Sequence, residues 1–147
     1  AWLRLLRAET FNDETIYASF SKCGYQKMRQ WLDDGWKDLG CTALLAQNDD
    51  TAIGAIKALE EAGIAVPGDV SVVGFDNTQA AAHFRPRLTT VNVPLHEIGM
   101  QGVEQLLRQT AGEATNARQV LPTRQVLPHN LPAELVIGKS TAPIKNL

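Results

Sequence analysis

The chain has 147 residues, and with 44% hydrophobic residues it is long and apolar enough to bury a core, which argues against intrinsic disorder. Its formal net charge is −2 with both signs interspersed, so it lacks the concentrated basic face that nucleic-acid binding requires. No apolar run reaches the length of a membrane span, and we expect no membrane contact.

The first half of the chain predicts alternating strands and helices. Residues 3–7 are a short strand candidate, and apolar residues at helical spacing predict a helix over residues 23–32. Residues 42–46 are an apolar run of the length of a buried strand. The helix that follows is predicted over residues 51–62, and Gly63 stands just past its end, where helices commonly stop.

The second half continues the same alternation. Residues 70–75 are β-branched and apolar on both faces, as is typical of a strand buried in a parallel sheet. A further strand is predicted within residues 88–93, a helix from about residue 95 to 110, and a last strand at 135–137. Strands that alternate with helices in this way predict an open α/β sheet flanked by helices.

A short internal repeat precedes the last strand. The pentapeptide RQVLP occupies residues 118–122 and again residues 124–128. Two apolar, strand-forming copies offer two pairing registers, and the sequence leaves open which copy joins the sheet.

Polar residues follow two of the predicted strands. Residues 47–50 read QNDD and separate a strand from its helix, and Asp76 and Asn77 come directly after the strand at 70–75. Ligands of open α/β sheets bind beyond the carboxyl ends of the strands, so we expect both clusters at one edge of the sheet. Carboxylates and amides there suit a neutral ligand rich in hydroxyl or amide groups.

Each of these residues also has a purely structural interpretation. Asp49 or Asp50 could cap the helix that starts near residue 51, because aspartate is a favoured N-cap. Asp76 could cap a short helical segment at residues 78–82, and Asn77 could be an ordinary turn residue. The sequence leaves both interpretations open.

The sequence shows no arrangement typical of catalysis. Its serines lie in no nucleophile-elbow pattern, and no run of glycines precedes a helix as in a phosphate loop. Cys23 and Cys41 are expected to be reduced thiols, and neither they nor the three histidines have metal-ligand spacing. We therefore expect no catalytic residues, no metal site and no cofactor.

Several motifs together carry a family pattern. Residues 46–55 read AQNDDTAIGA, residues 63–76 read GIAVPGDVSVVGFD, residues 88–91 read LTTV, and residues 131–137 read LPAELVI. Over roughly residues 24–141 the chain resembles the lactose/galactose repressor family of bacterial transcription regulators. The resemblance implies a two-lobed sensing domain with the fold of periplasmic binding proteins, of which this chain would be the C-terminal part.

The resemblance also implies how the chain divides. Residues 1–91 would form the C-terminal lobe of the effector-binding domain, residues 92–132 would complete the N-terminal lobe, and residues 133–147 would return to the C-terminal lobe and form a tail. The family's helix-turn-helix headpiece, which contacts operator DNA, would lie upstream of residue 1.

The family's ligand contacts can be carried over position by position. They fall on Asn48, Asp50 and Asp76, and the contacts near the hinge fall on Val93 and Leu95. The aromatic ring that often stacks on a sugar corresponds to a serine here. Its neighbour, Phe20, would have to take that place.

The family's dimer surface can be carried over in the same way. It falls on one helix and on the segment after the strand at 70–75, namely on Ile53, Ile56, Lys57, Ala80, His83 and Phe84. For Ile53 and Ile56 the alternative is plain core packing, which is the expected role of at least one of them.

The resemblance implies a cytoplasmic transcription regulator, most simply a repressor, that forms a homodimer and senses a sugar or similar metabolite. Effector binding would shift the dimer between states that hold DNA well or badly. The alternative is a periplasmic sugar-binding protein of a transporter, which shares the fold but would carry a signal peptide. The identity of the effector, the operator sequence and the sense of the response are left open.

This chain alone is expected not to bind duplex DNA specifically, because it contains no recognition helix and no basic face. Selection from a random duplex library with the purified chain tests this expectation. The expected result is no enrichment of any sequence, and an enriched motif confirmed by footprinting would contradict it.

Overall fold

The computed structural model describes residues 19–113 and 131–143, which alternate between helices and short strands. The helices are α1 (Phe20–Asp33), α2 (Asp49–Glu61), α3 (Gln79–His83) and α4 (Leu95–Glu113), with a 3₁₀ turn at Trp36–Leu39. The strands are β1 (Ala43–Leu45), β2 (Ser71–Val73), β3 (Thr90–Asn92) and β4 (Glu134–Val136). The elements predicted within these ranges are confirmed, with ends shifted by a few residues. The strand candidate at 3–7 and both RQVLP copies lie outside the described residues.

Side-chain caps set the first residue of three helices. Ser19, Asn48 and Thr78 precede α1, α2 and α3, and each accepts a backbone N–H from one turn into its helix. These N–H groups have no partner within the helix, so each cap satisfies a donor that would otherwise be unpaired.

The sheet is parallel where its order can be followed. β1 pairs with β2 in the register Ala43–Ser71, Leu44–Val72, Leu45–Val73. A parallel bridge between Val73 and Thr89 links β2 to the start of β3, and β3 pairs with β4. The predicted α/β fold with a parallel sheet flanked by helices is therefore confirmed. The carboxyl ends of β1, β2 and β3 share one edge.

The core lies between this sheet and the helices α1 and α2. Its largest fully buried side chains are Met28, Ile56, Leu59, Val72 and Leu88, all from apolar positions of the predicted elements. Burial of such side chains supplies most of the favourable free energy of folding.

The two helices approach each other backbone to backbone. A Cβ atom at Gly24 would overlap the carbonyl oxygen of Thr51, and one at Gly54 would overlap that of Ser21. Only glycine leaves room for this approach.

The chain forms two compact units. Among the described residues, one unit contains residues 19–92 and 135–143, and the other contains residues 93–113 and 131–134, which include α4. Six large apolar side chains of α4 are exposed: Leu95, Ile98, Met100, Val103, Leu106 and Leu107. Within residues 19–113 and 131–143, no helix is long and apolar enough to cross a membrane.

Candidate functional site

The segments that follow β1 and β2 meet the end of β3 at the carboxyl edge of the sheet. The backbone N–H of Asp49 donates to the carbonyl of Phe75 at 2.9 Å, and the N–H of Asp76 donates to the carbonyl of Val91 at 2.9 Å. The two polar clusters that the sequence places after different strands are therefore side by side in the fold. We call this region the carboxyl-edge site and define it by Asn48, Asp49, Asp50, Asp76 and Asn77.

Asp49 holds three elements together at this site. Its carboxylate is fully buried, and its Oδ2 accepts the backbone N–H of Thr78 at 2.7 Å. Its Oδ1 accepts the hydroxyl of Thr90 at 2.5 Å, so α2, the start of α3 and β3 share one side chain. A Cβ atom at Gly74 would overlap Oδ1 of Asp49, which explains the glycine there.

The sequence suggested Asp49 either as part of a ligand-facing polar cluster or as a helix cap, and the capping role is wrong because Asn48 caps α2. The same observation excludes the capping role suggested for Asp50, and Thr78 rather than Asp76 caps α3. One signal could have revealed the buried carboxylate. Thr89 and Thr90 lie together in the strand predicted at residues 88–93, and a buried hydroxyl needs a partner.

The turn that carries Asp76 has an unusual backbone. Asp76 has φ of 106° and Asn77 has φ of 55°, so two consecutive residues other than glycine adopt positive φ. Asparagine tolerates the left-handed region best, but φ of 106° lies beyond it, at a cost of roughly 1–3 kcal/mol. Such residues cluster at ligand-binding sites, where the surrounding structure holds them in place.

The carboxylate of Asp76 accepts no hydrogen bond from the residues that the structure describes, although the side chain is partly buried. Its pKa is raised, first by burial and then by the negative charges of Asp49 and Asp50. An ionised carboxylate in this setting gains free energy from any donor that a ligand brings.

The other predicted ligand contacts occupy different positions. Asn48 is partly buried, and its Oδ1 accepts the N–H of Thr51 at 2.9 Å. Asp50 is exposed in the first turn of α2, and Phe20 is exposed at the first position of α1. Val93 and Leu95 belong to the second unit.

The predicted dimer residues divide into two groups. Ile56 has no exposed surface and packs into the core, as expected for at least one of the two isoleucines, so it offers no surface to a partner, and Ile53 is 8% exposed. Lys57, Ala80 and His83 are exposed and Phe84 is partly buried, so these four remain accessible to a partner.

Comparison with known proteins supports one family. Residues 5–141 match the family model of the periplasmic binding protein-like domain. The lactose operon repressor of Rhizobium radiobacter is 33% identical over 103 residues, which cover 70% of this chain and 88% of that protein. The chain belongs to the lactose repressor family of transcription regulators. The lactose operon repressor of Escherichia coli K12 is 37% identical over 103 residues, but the chain covers only 28% of that protein.

A solved structure of this family extends the comparison. The lac repressor dimer bound to operator and the anti-inducer ONPF is 34% identical, with a TM-score of 0.66 over 82% of this chain and 33% of that one. The chain thus spans only part of these relatives, 28% of the Escherichia coli repressor and 33% of the chain in the solved dimer. These relatives are regulators rather than enzymes, in agreement with the expectation from the sequence.

Replacing Asp49 by alanine is expected to lower the free energy of unfolding by about 3 kcal/mol, because the part-buried Thr78 N–H and the buried Thr90 hydroxyl both lose the carboxylate to which they donate. The matched control is Asp50→Ala, which removes an exposed carboxylate from the same helical turn and should change it by less than about 0.5 kcal/mol. Urea denaturation of both variants measures the difference. Equal losses would show that the buried hydrogen bonds of Asp49 contribute nothing.

Replacing Asp76 by asparagine is expected to stabilise the fold at neutral pH. Folding raises the pKa of this carboxyl above its ordinary value, so its ionised form disfavours the folded state at every pH above the folded pKa. The penalty disappears as pH falls through the folded pKa to the ordinary value of 3.8. Thermal melts should therefore give Asp76→Asn a higher Tm at pH 7 and a smaller advantage near pH 4. A difference in Tm that stays constant between pH 4 and pH 7 would contradict a raised pKa at Asp76.

Proposed function

We propose that the chain is the effector-binding and dimerisation region of a cytoplasmic transcription regulator that senses a sugar or a similar small metabolite. The observation that carries the proposal is the Asp76 carboxylate. It stands at the carboxyl edge of the sheet, on a strained turn, with no donor among the described residues. Open α/β sheets bind their ligands at this edge.

The neighbouring groups fit a polyhydroxylated ligand. Asp76 can accept hydrogen bonds from two adjacent hydroxyls, and the exposed carboxylate of Asp50 offers further acceptors. Asn48 uses Oδ1 as a cap, so its Nδ2 can donate to a ligand oxygen. We assign Phe20, Val93 and Leu95 as further ligand contacts on the family resemblance alone.

A sugar-bound relative supports the ligand class. The regulator of this family from Arthrobacter sp. FB24, solved in complex with lactose, is 29% identical, with a TM-score of 0.66 over 83% of this chain and 42% of that one. A transporter's sugar-binding protein would share the fold, but the relatives named above are repressors and regulators.

The remaining assignments follow from the same proposal. Residues 1–91 and 133–147 belong to the C-terminal lobe of the sensing domain, and residues 92–132 complete the N-terminal lobe. A homodimer forms through Lys57, Ala80, His83 and Phe84, and operator DNA is contacted through a headpiece upstream of this chain. The solved dimer on its operator supports both partners. Effector binding shifts the population of dimer states and so changes DNA affinity.

The test begins with a thermal-shift screen of mono- and disaccharides, lactose and ribose included, against the regulator that carries this chain. The sugar that stabilises it most is then titrated calorimetrically into the wild type and Asp76→Asn. Loss of one or two charge-assisted hydrogen bonds, worth roughly 1.5–3 kcal/mol each, should weaken binding about tenfold or more. Operator binding without the sugar should be unchanged.

Asp38→Asn is the matched control, because it makes the same substitution at an exposed aspartate of the 3₁₀ turn. Its affinity for the sugar should equal that of the wild type. Equal affinity in Asp76→Asn would exclude the ligand contact, and a screen in which no saccharide stabilises the wild type would exclude the sugar class.

A further inference from the structure

We propose that Asn92 is a positioning residue for the carboxyl-edge site, because its side chain holds the Asp76–Asn77 turn against the end of β3. The inference rests on the proposed function only in taking Asp76 as the effector contact. The contact itself is between side chains: Nδ2 of Asn77 donates to Oδ1 of Asn92 at 3.1 Å.

The turn needs such a contact because its backbone is strained. Positive φ at Asp76 and Asn77 persists only where surrounding interactions outweigh its cost. The N–H of Asp76 donates to the Val91 carbonyl at 2.9 Å, and the N–H of Asn77 donates to Oγ1 of Thr90 at 3.3 Å. All three bonds that hold the turn thus end on consecutive residues of β3.

Asn92 differs from Thr90 and Val91, the other two residues that bond to the turn, because within the part of the chain that the structure describes its side chain bonds to the turn alone. Val91 contributes only a backbone carbonyl, which any residue would supply, and the hydroxyl of Thr90 also serves Asp49. Thr90 and Asn92 lie two residues apart on a strand, so their side chains share one face of β3. The choice of asparagine at position 92 therefore bears on the turn and on no other contact that we observe among the described residues.

The test measures the turn directly and needs no ligand. In the full chain labelled with ¹³C and ¹⁵N, the Asp76 carboxyl pKa and the exchange rate of its amide proton are compared between the wild type and Asn92→Ala. Release of the turn lets the carboxylate reach water and move away from Asp49 and Asp50. We expect its pKa to fall towards the ordinary value and its amide exchange to accelerate about tenfold or more.

A double-mutant cycle tests whether Asn92 acts through its hydrogen bond with Asn77. Asn77→Ala removes the same hydrogen bond from the other side and, because alanine tolerates positive φ less well than asparagine, should change both readouts in the same direction and at least as much. Adding Asn92→Ala to it should give no further change. Ser71→Ala, which loses its bonds to Ala142 at the opposite end of β2, is the stability control and should leave both readouts as in the wild type.

Two results would overturn the proposal. One is an unchanged pKa and exchange rate in Asn92→Ala. The other is a further change when Asn92→Ala is added to Asn77→Ala, because Asn92 would then act by another route. Either result can occur while Asp76→Asn still weakens sugar binding, so failure here is distinguishable from failure of the proposed function.

Discussion

The buried carboxylate of Asp49 is the interaction on which the carboxyl edge of this sheet depends. It accepts the backbone N–H of Thr78, the residue that precedes α3, and the hydroxyl of Thr90. The Thr90 hydroxyl oxygen in turn accepts the N–H of Asn77. The core and the carboxyl-edge site therefore share atoms. A substitution at Asp49 is therefore expected to disturb the Asp76–Asn77 turn as well, although Asp49 itself is fully buried and cannot contact a ligand.

Asp76 illustrates the opposite situation, because its features cost stability. Its backbone is strained, its carboxylate has no protein donor among the described residues, and its pKa is raised by burial and by neighbouring carboxylates. A residue selected for stability alone would have none of these three features. The combination is understandable where a ligand completes the site, since binding sites commonly trade stability for function.

Sequence patterns predicted the elements and brought Asn48 and Asp76 to one edge, because hydrophobic periodicity and parallel strands determine both. They did not separate the roles of Asn48 and Asp49. Both are good caps, and only the tertiary position of Thr90 distinguishes them. Ile56 was misassigned because α2 is buried on more than one side. The strained turn was also beyond prediction, since it depends on hydrogen bonds to a strand 13 or more residues later.

The contact at Gly24 and Gly54 limits how this protein can evolve. In most helix pairs a larger side chain on one helix can be accommodated by a smaller one on the other. Here a side chain at either glycine would overlap a backbone carbonyl oxygen of the other helix, which no substitution removes. Substitutions at these two glycines therefore cannot be compensated by small changes elsewhere, and the packing of α1 against α2 is expected to stay the same. Changes in ligand specificity on this scaffold are therefore expected at exposed positions that leave this helix contact intact, such as Asp50 and Phe20 in the first turns of α2 and α1.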